Sequence, residues 1–99
     1  MNRMQSIRFS GVGTQTTTSG SSSSAIAVPN DASGTRARFV HVVADTAAAI
    51  KFGKSTVAAT ANDAMVTNQP IIVNVGGDTH YAVIQVTAGA KVTVTPVEA

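Results

Sequence analysis

The sequence contains no cysteine, which excludes disulfide bonds and thiolate metal sites. A chain of 99 residues is expected to form one domain, and it buries only roughly 60–65% of the surface that its unfolded form exposes. Small domains usually gain further stability from disulfides, metals or association with other subunits. Association, either with copies of itself or with a larger body, is therefore the expected source of added stability.

Charged residues are also scarce, at 12% of the chain against the usual quarter. Residues 1–29 contain Arg3 and Arg8 and no acid, whereas residues 30–99 hold five basic and five acidic residues. Dispersed basic residues do not form the dense positive patch that direct nucleic-acid binding requires. A surface with few charges fits a protein that covers much of itself with partners. A surface that is simply rich in Ser and Thr is the alternative interpretation.

Long apolar runs are absent as well, since none approaches the roughly 18 residues of a transmembrane helix. The first residues lack the apolar centre of a secretory signal, and no Asn-x-Ser/Thr acceptor occurs. We therefore expect neither membrane insertion nor export by the general secretory pathway.

The most unusual segment that is present is a polar tract, residues 14–24, in which nine of eleven residues are Ser or Thr. Such a stretch cannot offset its ordering entropy by burial, so it is expected to be a flexible tether. Before it, Ile7 and Phe9 alternate with polar residues, which predicts a short strand. These features divide the chain into an N-terminal arm, residues 1–29, and a body, residues 30–99.

The body shows short apolar–polar alternations, recurring at roughly 8–12-residue intervals and separated by turn residues. The alanines before Ile50 could begin a helix, but Gly53 cuts that segment short and Ile50 alternates with Phe52, so a strand is favoured. The pattern predicts an all-β fold, namely a small antiparallel β-sandwich or jelly-roll-like barrel with an extended Ser/Thr-rich N-terminal arm. Residues 76–78, Gly-Gly-Asp, predict a tight hairpin turn. The pattern of residues 54–69 is less clear: residues 56–60 could form a short strand, and residues 58–65 could hold a helical turn.

Alternation also predicts which side chains of each strand face the core. Tyr81 is predicted to face outward. The predicted inward-facing residues are Phe39, His41, Val43, His80, Ala82, Ile84, Val86, Val92 and Val94.

The candidate chemistry is sparse. His41 and His80, with Asp45 or Asp78, are the residue types of a zinc site, but no strong zinc signature is present and hydrogen-bonded structural histidines are favoured. The acids sit in predicted turns or at strand ends, where Asp commonly caps the backbone. Residues 53–55, Gly-Lys-Ser, lack the rest of a phosphate-binding loop, and there is no Gly-x-Ser-x-Gly elbow. We predict no catalytic residue, no cofactor and no metal.

Partner contacts are the more plausible chemistry. The strand at the end of the arm can add to a sheet edge of another subunit. Two arginines on one strand face can clamp acidic groups, although a solvated strand end is the favoured interpretation, and an outward tyrosine can anchor an interface. The candidate contact residues are Ile7, Arg8, Phe9, Arg36, Arg38 and Tyr81.

Three short motifs carry a family resemblance. They are "FGKSTV" at residues 52–57, "GDTHYAVI" at 77–84 and "KVTVTPVE" at 91–98. Residues 36–96, about two thirds of the chain, resemble a group of small structural proteins of tailed bacteriophages. The resemblance implies a compact β-sandwich that is part of a virion and has no catalytic site. Capsid decoration, head completion and tail positions all use such domains.

The resulting functional prediction is a non-enzymatic capsid decoration, or cement, protein. It is expected on the capsid surface of a virion after synthesis in the host cytoplasm. Its expected partner is the major capsid protein, with self-association, for which a trimer is one form, and with no direct nucleic acid and no membrane. The alternatives are a head–tail connector, tail or fibre component and, from another class, a surface ligand-binding module. An enzyme is the weakest alternative.

Overall fold

The structure is a computed structural model and describes residues 8–9, 13–30 and 34–98. Within these ranges the chain forms strands, turns and extended connections and no helix. The strands are β1 (Arg8–Phe9), β2 (Gln15–Thr18), β3 (Ile26–Ala27), β4 (Phe39–Ala44), β5 (Ala48–Gly53), β6 (Ala64–Val66), β7 (Ile71–Asn74), β8 (His80–Gln85) and β9 (Lys91–Glu98).

These strands form two antiparallel sheets. Sheet A has β9 and β4 at its centre and β7 at one edge. Its other edge is shared by β1, which pairs with residues 97–98 of β9, and β2, which pairs with residues 91–94. Sheet B has the order β3-β8-β5-β6. The two sheets enclose one hydrophobic core.

The pairing is nested around the connection between β5 and β6. Outward from it, β5 pairs with β6, β4 with β7, β3 with β8, and β2 with β9. The chain is thus a long antiparallel ribbon that is rolled up so that β4 also meets β9 and β5 also meets β8. This is the strand order of a double-sheet jelly roll. The predicted all-β sandwich is confirmed.

Small β-branched and alanine side chains fill the core. Val40 and Val42 of β4 and Val92 and Val94 of β9 are buried, and they alternate with half-buried or exposed neighbours. Removing a valine side chain of this kind from water contributes about 1.5–3 kcal/mol. The inward positions predicted for Val92 and Val94 are confirmed.

The predicted faces of β4 and β8 are wrong. Val40 and Val42 point into the core, whereas Phe39, His41 and Val43 are half-buried on the opposite face. Both faces of β4 carry enough apolar side chains to form a core. The incorrect assignment was favoured by Arg36 and Arg38, which precede the strand. On β8, Tyr81 and Val83 belong to the core cluster, whereas His80 and Ile84 are half-buried and Val86, just beyond the strand, is exposed. Ala82, which was also predicted to face inward, is buried.

The Gly-Gly-Asp turn is present, but it does not form a hairpin. The Asp78 N–H donates to the Val75 carbonyl at 3.2 Å, and Gly76 has a φ of 64°. The turn carries the chain from β7 in sheet A to β8 in sheet B. Local sequence therefore predicted the turn correctly and the strand pairing incorrectly. Residues 56–60 form no strand, and residues 58–65 contain a turn, in which the Asp63 N–H donates to the Thr60 carbonyl at 3.0 Å, before β6 begins at Ala64.

The first part of the polar tract lies on sheet A, where the sequence predicted a flexible tether. Its residues from Gln15 to Thr18 pair with β9. Next to them, Ser19 is buried, and both its N–H and its Oγ donate to the Ala90 carbonyl, at 2.8 and 2.7 Å. Threonine is β-branched and suits a strand, and the free edge of β9 supplies the backbone partners that an isolated tract lacks. The division into an arm and a body stays a prediction, because strand pairing does not define functional units.

Gly13 holds the start of the tract against the rest of the fold. Its φ is 88°, a conformation that favours glycine. A Cβ at this position would lie 2.5 Å from the Asn30 carbonyl oxygen and 3.0 Å from Cγ of Pro96. The backbone therefore approaches both residues as closely as only glycine allows.

We expect Gly13→Ala to lower the free energy of unfolding by about 1–3 kcal/mol, because it combines an unfavourable φ with a clash against backbone. Gly89→Ala is the matched control, since Gly89 has a φ of 77° and nothing within 4 Å of the added Cβ. Urea denaturation of the two variants measures the difference. An equal loss of stability in both would show that the segment is not held against Asn30 and Pro96.

Candidate functional site

Tyr81 links the two sheets. It is 1% exposed, and its hydroxyl donates to Oε1 of Gln15 at 2.6 Å. The Nε2 of Gln15 donates in turn to the Ala27 carbonyl at 3.2 Å. One glutamine of β2 thus bonds to two strands of sheet B, while the Phe52 ring packs 5.8 Å from the Tyr81 ring. The prediction that Tyr81 faces outward is wrong, because the polar tract covers it.

Burial also changes the acidity of this phenol. It raises the pKa of Tyr81 to about 12, and a hydrogen bond with the Thr17 side chain opposes part of the rise. The neutral hydroxyl is therefore the form that the fold holds. Sequence reasoning missed Gln15 in this role. The available signal was that Gln15 is the one long side chain inside a Ser/Thr tract.

A small hydroxyl-lined cavity of about 110 Å³ opens beside this link. It is large enough to admit water. No charged side chain lines it, and no buried side-chain nitrogen or oxygen in the described part of the chain lacks a partner. The lining residues are Thr17, Thr18, Ser19, Gly20, Ser22, Ser24, Ile26 and Val83.

The two histidines considered for metal binding lie on different sheets. His41 is on β4 of sheet A, and His80 is on β8 of sheet B, where its Nδ1 lies 2.8 Å from Oγ1 of Thr79. Among residues 8–9, 13–30 and 34–98, no group of three or more His, Asp or Glu side chains could hold a metal ion.

Two aspartates cap the backbone as predicted. Oδ1 of Asp45 accepts the Lys91 N–H at 2.7 Å, and this hydrogen bond lowers the pKa of Asp45. Oδ2 of Asp63 accepts the Thr60 N–H at 2.7 Å.

The remaining candidate contact residues are not brought together into one site. Arg36 and Arg38 are exposed just before β4. Arg8 and Phe9 pair through their backbones with β9 of the same chain, and Ile7 lies outside the described residues. Binding of a partner by these residues stays a prediction.

A broader surface is the outer face of sheet A, which the sequence analysis did not identify. The register places Thr16 beside Thr93, with 3.4 Å between their hydroxyl oxygens, and Thr93 beside Val43. The same register aligns Thr95 with His41. We name this surface the threonine face and define it as Thr16, Thr18, Thr93, Thr95, Phe39, His41 and Val43. The repeated Thr-x-Thr spacing in two strands was the signal that could have found it.

Comparisons with protein-family models, with curated proteins and with solved structures found no match for this chain. The resemblance to phage structural proteins therefore stays a prediction. In the part of the chain that the structure describes, no helix is long and apolar enough to span a membrane.

The raised pKa of Tyr81 predicts a loss of stability in alkali. Below pH 10 the phenol is neutral in both the folded and the unfolded state. Between about pH 10 and about 12 the unfolded state ionises first, so the free energy of unfolding falls by up to about 1.4 kcal/mol per pH unit. Urea titrations of wild type and Tyr81→Phe across this range isolate the effect. A parallel pH dependence in both proteins would contradict it.

The bond between Gln15 and Tyr81 predicts coupled mutations. We expect Gln15→Ala to destabilise by about 1–3 kcal/mol, because it leaves a buried hydroxyl without its acceptor. In a Tyr81→Phe background the same substitution should cost less, since no hydroxyl remains to be satisfied. A double-mutant cycle measured by urea denaturation tests this. Additive losses would show that the two side chains act independently.

Proposed function

We propose that this protein is a non-enzymatic structural subunit of a bacteriophage virion that decorates the capsid and stabilises it. The short motifs in residues 36–96 support a phage structural protein. The jelly-roll strand order is compatible with this, because viral capsid domains use that architecture. Lectin and cupin domains use it too, so the fold alone does not select the function.

The observation that carries the proposal is the threonine face. Its one ionisable member is His41, and Lys91 lies at its end, opposite Thr18. A partner that covers the part of this surface away from Lys91 does not have to remove charges from water. The threonine hydroxyls both donate and accept hydrogen bonds, which allows them to pair with an exposed backbone or with polar side chains.

The proposed mechanism is mass action. A subunit that binds only the assembled shell stabilises it by RT ln(1 + [L]/Kd) for each occupied site. A small subunit that binds many equivalent sites contributes this free energy at each site. The total stabilisation of the shell is then large even when binding at a single site is weak. The major capsid protein is the proposed partner.

The place of the polar tract in the fold changes the role proposed for the N-terminal segment. Because β2 completes sheet A and Gln15 holds Tyr81, deletion of residues 1–24 would remove parts of the fold together with any tether. Truncation therefore does not separate binding from folding. We propose the threonine face as the main shell contact, and point substitutions on it are the cleaner probe.

Co-sedimentation with undecorated heads and, separately, with tails tests the proposal. We expect saturation on heads at hundreds of copies per particle, as the many equivalent sites of a capsid imply. We expect Thr16→Lys to weaken this binding by about tenfold or more, because it places an unpaired charge inside the covered face. Val86→Lys is the matched control, since Val86 is also an exposed β-branched residue but follows β8 of the other sheet.

Other outcomes would replace the proposal. Saturation at about a dozen copies, or binding to tails alone, would favour a connector or tail component. Equal binding by Thr16→Lys and wild type would exclude the threonine face as the contact. Binding to neither particle would overturn the virion role and favour a surface ligand-binding module, for which the hydroxyl-lined cavity is the first place to test and a glycan array the first assay.

A further inference from the structure

One continuous segment at the edge of the sandwich carries no charged side chain of its own, and Lys54 reaches its end, where Nζ donates to the Gly77 carbonyl at 2.8 Å. Residues 64–77 contain no Asp, Glu, Lys or Arg, and they include both β6 and β7. These are the edge strands of sheet B and sheet A, and they lie on the same side, since the Ala44 N–H of β4 donates to the Thr67 carbonyl between them at 2.9 Å. We name residues 64–77 the uncharged edge.

The uncharged edge also concentrates exposed apolar side chains. Among the residues that the structure describes, four large hydrophobic side chains are exposed, and three of them belong to it: Met65 at 57%, Ile71 at 40% and Ile72 at 45%. The fourth, Val86 at 43%, lies elsewhere. Single exposed apolar residues are ordinary, but clusters mark interaction surfaces.

The backbone of β7 leaves hydrogen-bonding groups at this edge. The Val75 N–H donates to the Arg38 carbonyl at 2.8 Å. Because backbone direction alternates along an antiparallel strand, Val73 and Ile71 face β4 in the same way. The N–H and C=O groups of Ile72 and Asn74 therefore point away from sheet A.

The usual protection of an open edge is lacking here. Proteins protect edge strands with charges, prolines, bulges or very short strands. At the opposite side of the sandwich, β1 and β3 are two residues each, and β2 is polar. On β7 the one such device is Pro70, which lies just outside the strand.

We propose that two copies of this chain associate through β7, which pairs antiparallel with β7 of the second copy and joins the two A sheets. In this register Ile72 of each copy exchanges backbone hydrogen bonds with Asn74 of the other. The four outward groups of each strand then all find partners. Pro70, which has no N–H to donate, lies outside the pair.

The partner that pairs with β7 is a second copy of this chain, because the edge is complementary to itself. An antiparallel strand pair has a two-fold axis perpendicular to the sheet, so the same surface serves both subunits. Two copies bring no like charges together along residues 64–77. The same axis brings the two β6 strands, at the edges of the B sheets, to the same side of the dimer. A charged partner would find no complementary charge on this edge.

Sedimentation equilibrium of the full chain alone, across a range of concentrations, tests the pairing without any virion component. We expect a mass that rises from 10.0 kDa to twice that value. Ile72→Pro removes an N–H that faces away from β4, and it should raise the dimer dissociation constant by about tenfold or more. Ile72→Val keeps the N–H and the branched side chain and should dimerise like wild type.

A second pair of variants tests the apolar contact. Ile72→Lys should also weaken the dimer, whereas Val86→Lys, at nearly equal exposure, should not. Amide hydrogen exchange of the wild type provides a measurement that does not depend on folding of a variant. The Ile72 and Asn74 amides should be protected at high protein concentration and exchange quickly at low concentration.

Three results would overturn the proposal. They are a monomer at every concentration, a mass that converges on a trimer, and a dimer that Ile72→Pro leaves unchanged. Each is independent of whether the protein binds capsids, so a failure of the dimer and a failure of the proposed function are distinguishable.

Discussion

A buried hydroxyl must find a hydrogen-bond acceptor, and the phenol of Tyr81 finds its acceptor in the polar tract. This requirement organises the N-terminal quarter of the described fold. Gln15 satisfies Tyr81, the pairing of β2 with β9 positions Gln15, and Ser19 completes the attachment through Ala90. A segment with almost no apolar surface is thus ordered by hydrogen bonds to polar groups in the rest of the fold.

The fold class followed from alternation, because period-two patterns in short segments depend only on local sequence. Alternation did not predict which face of β4 and of β8 points into the core. In β4 both alternate sets are apolar, and in β8 the core residue Tyr81 carries a hydroxyl whose partner lies 66 positions away. The prediction for residues 76–78 was incomplete for the same reason. Glycine geometry specifies a turn, but it does not specify which sheet the next strand joins. Of the candidate contact residues, Arg36 and Arg38 are exposed and Tyr81 is not.

The surfaces proposed for binding share one property, which is low charge rather than strong hydrophobicity. The threonine face offers hydroxyls on a broad sheet, whereas the uncharged edge offers backbone groups and a few apolar side chains. Each surface is assembled from neighbours in the sheets, so its sequence signals are weak on their own. They are the Thr-x-Thr spacing in β2 and β9, the uncharged run of residues 64–77 and the scarcity of charged residues along the whole chain.

The nested pairing also has a consequence for biosynthesis. Strand β9 leaves the ribosome after the eight other strands, yet β1, β2 and β4 all pair with it. Sheet A cannot be completed until residues 91–98 have emerged. Until then β2 has no partner strand and the Tyr81 hydroxyl lacks its native acceptor. Sheet A is therefore completed late, by pairing between strands that are far apart in the sequence. Such long-range pairing makes folding slow and leaves strand edges exposed to other chains until it occurs.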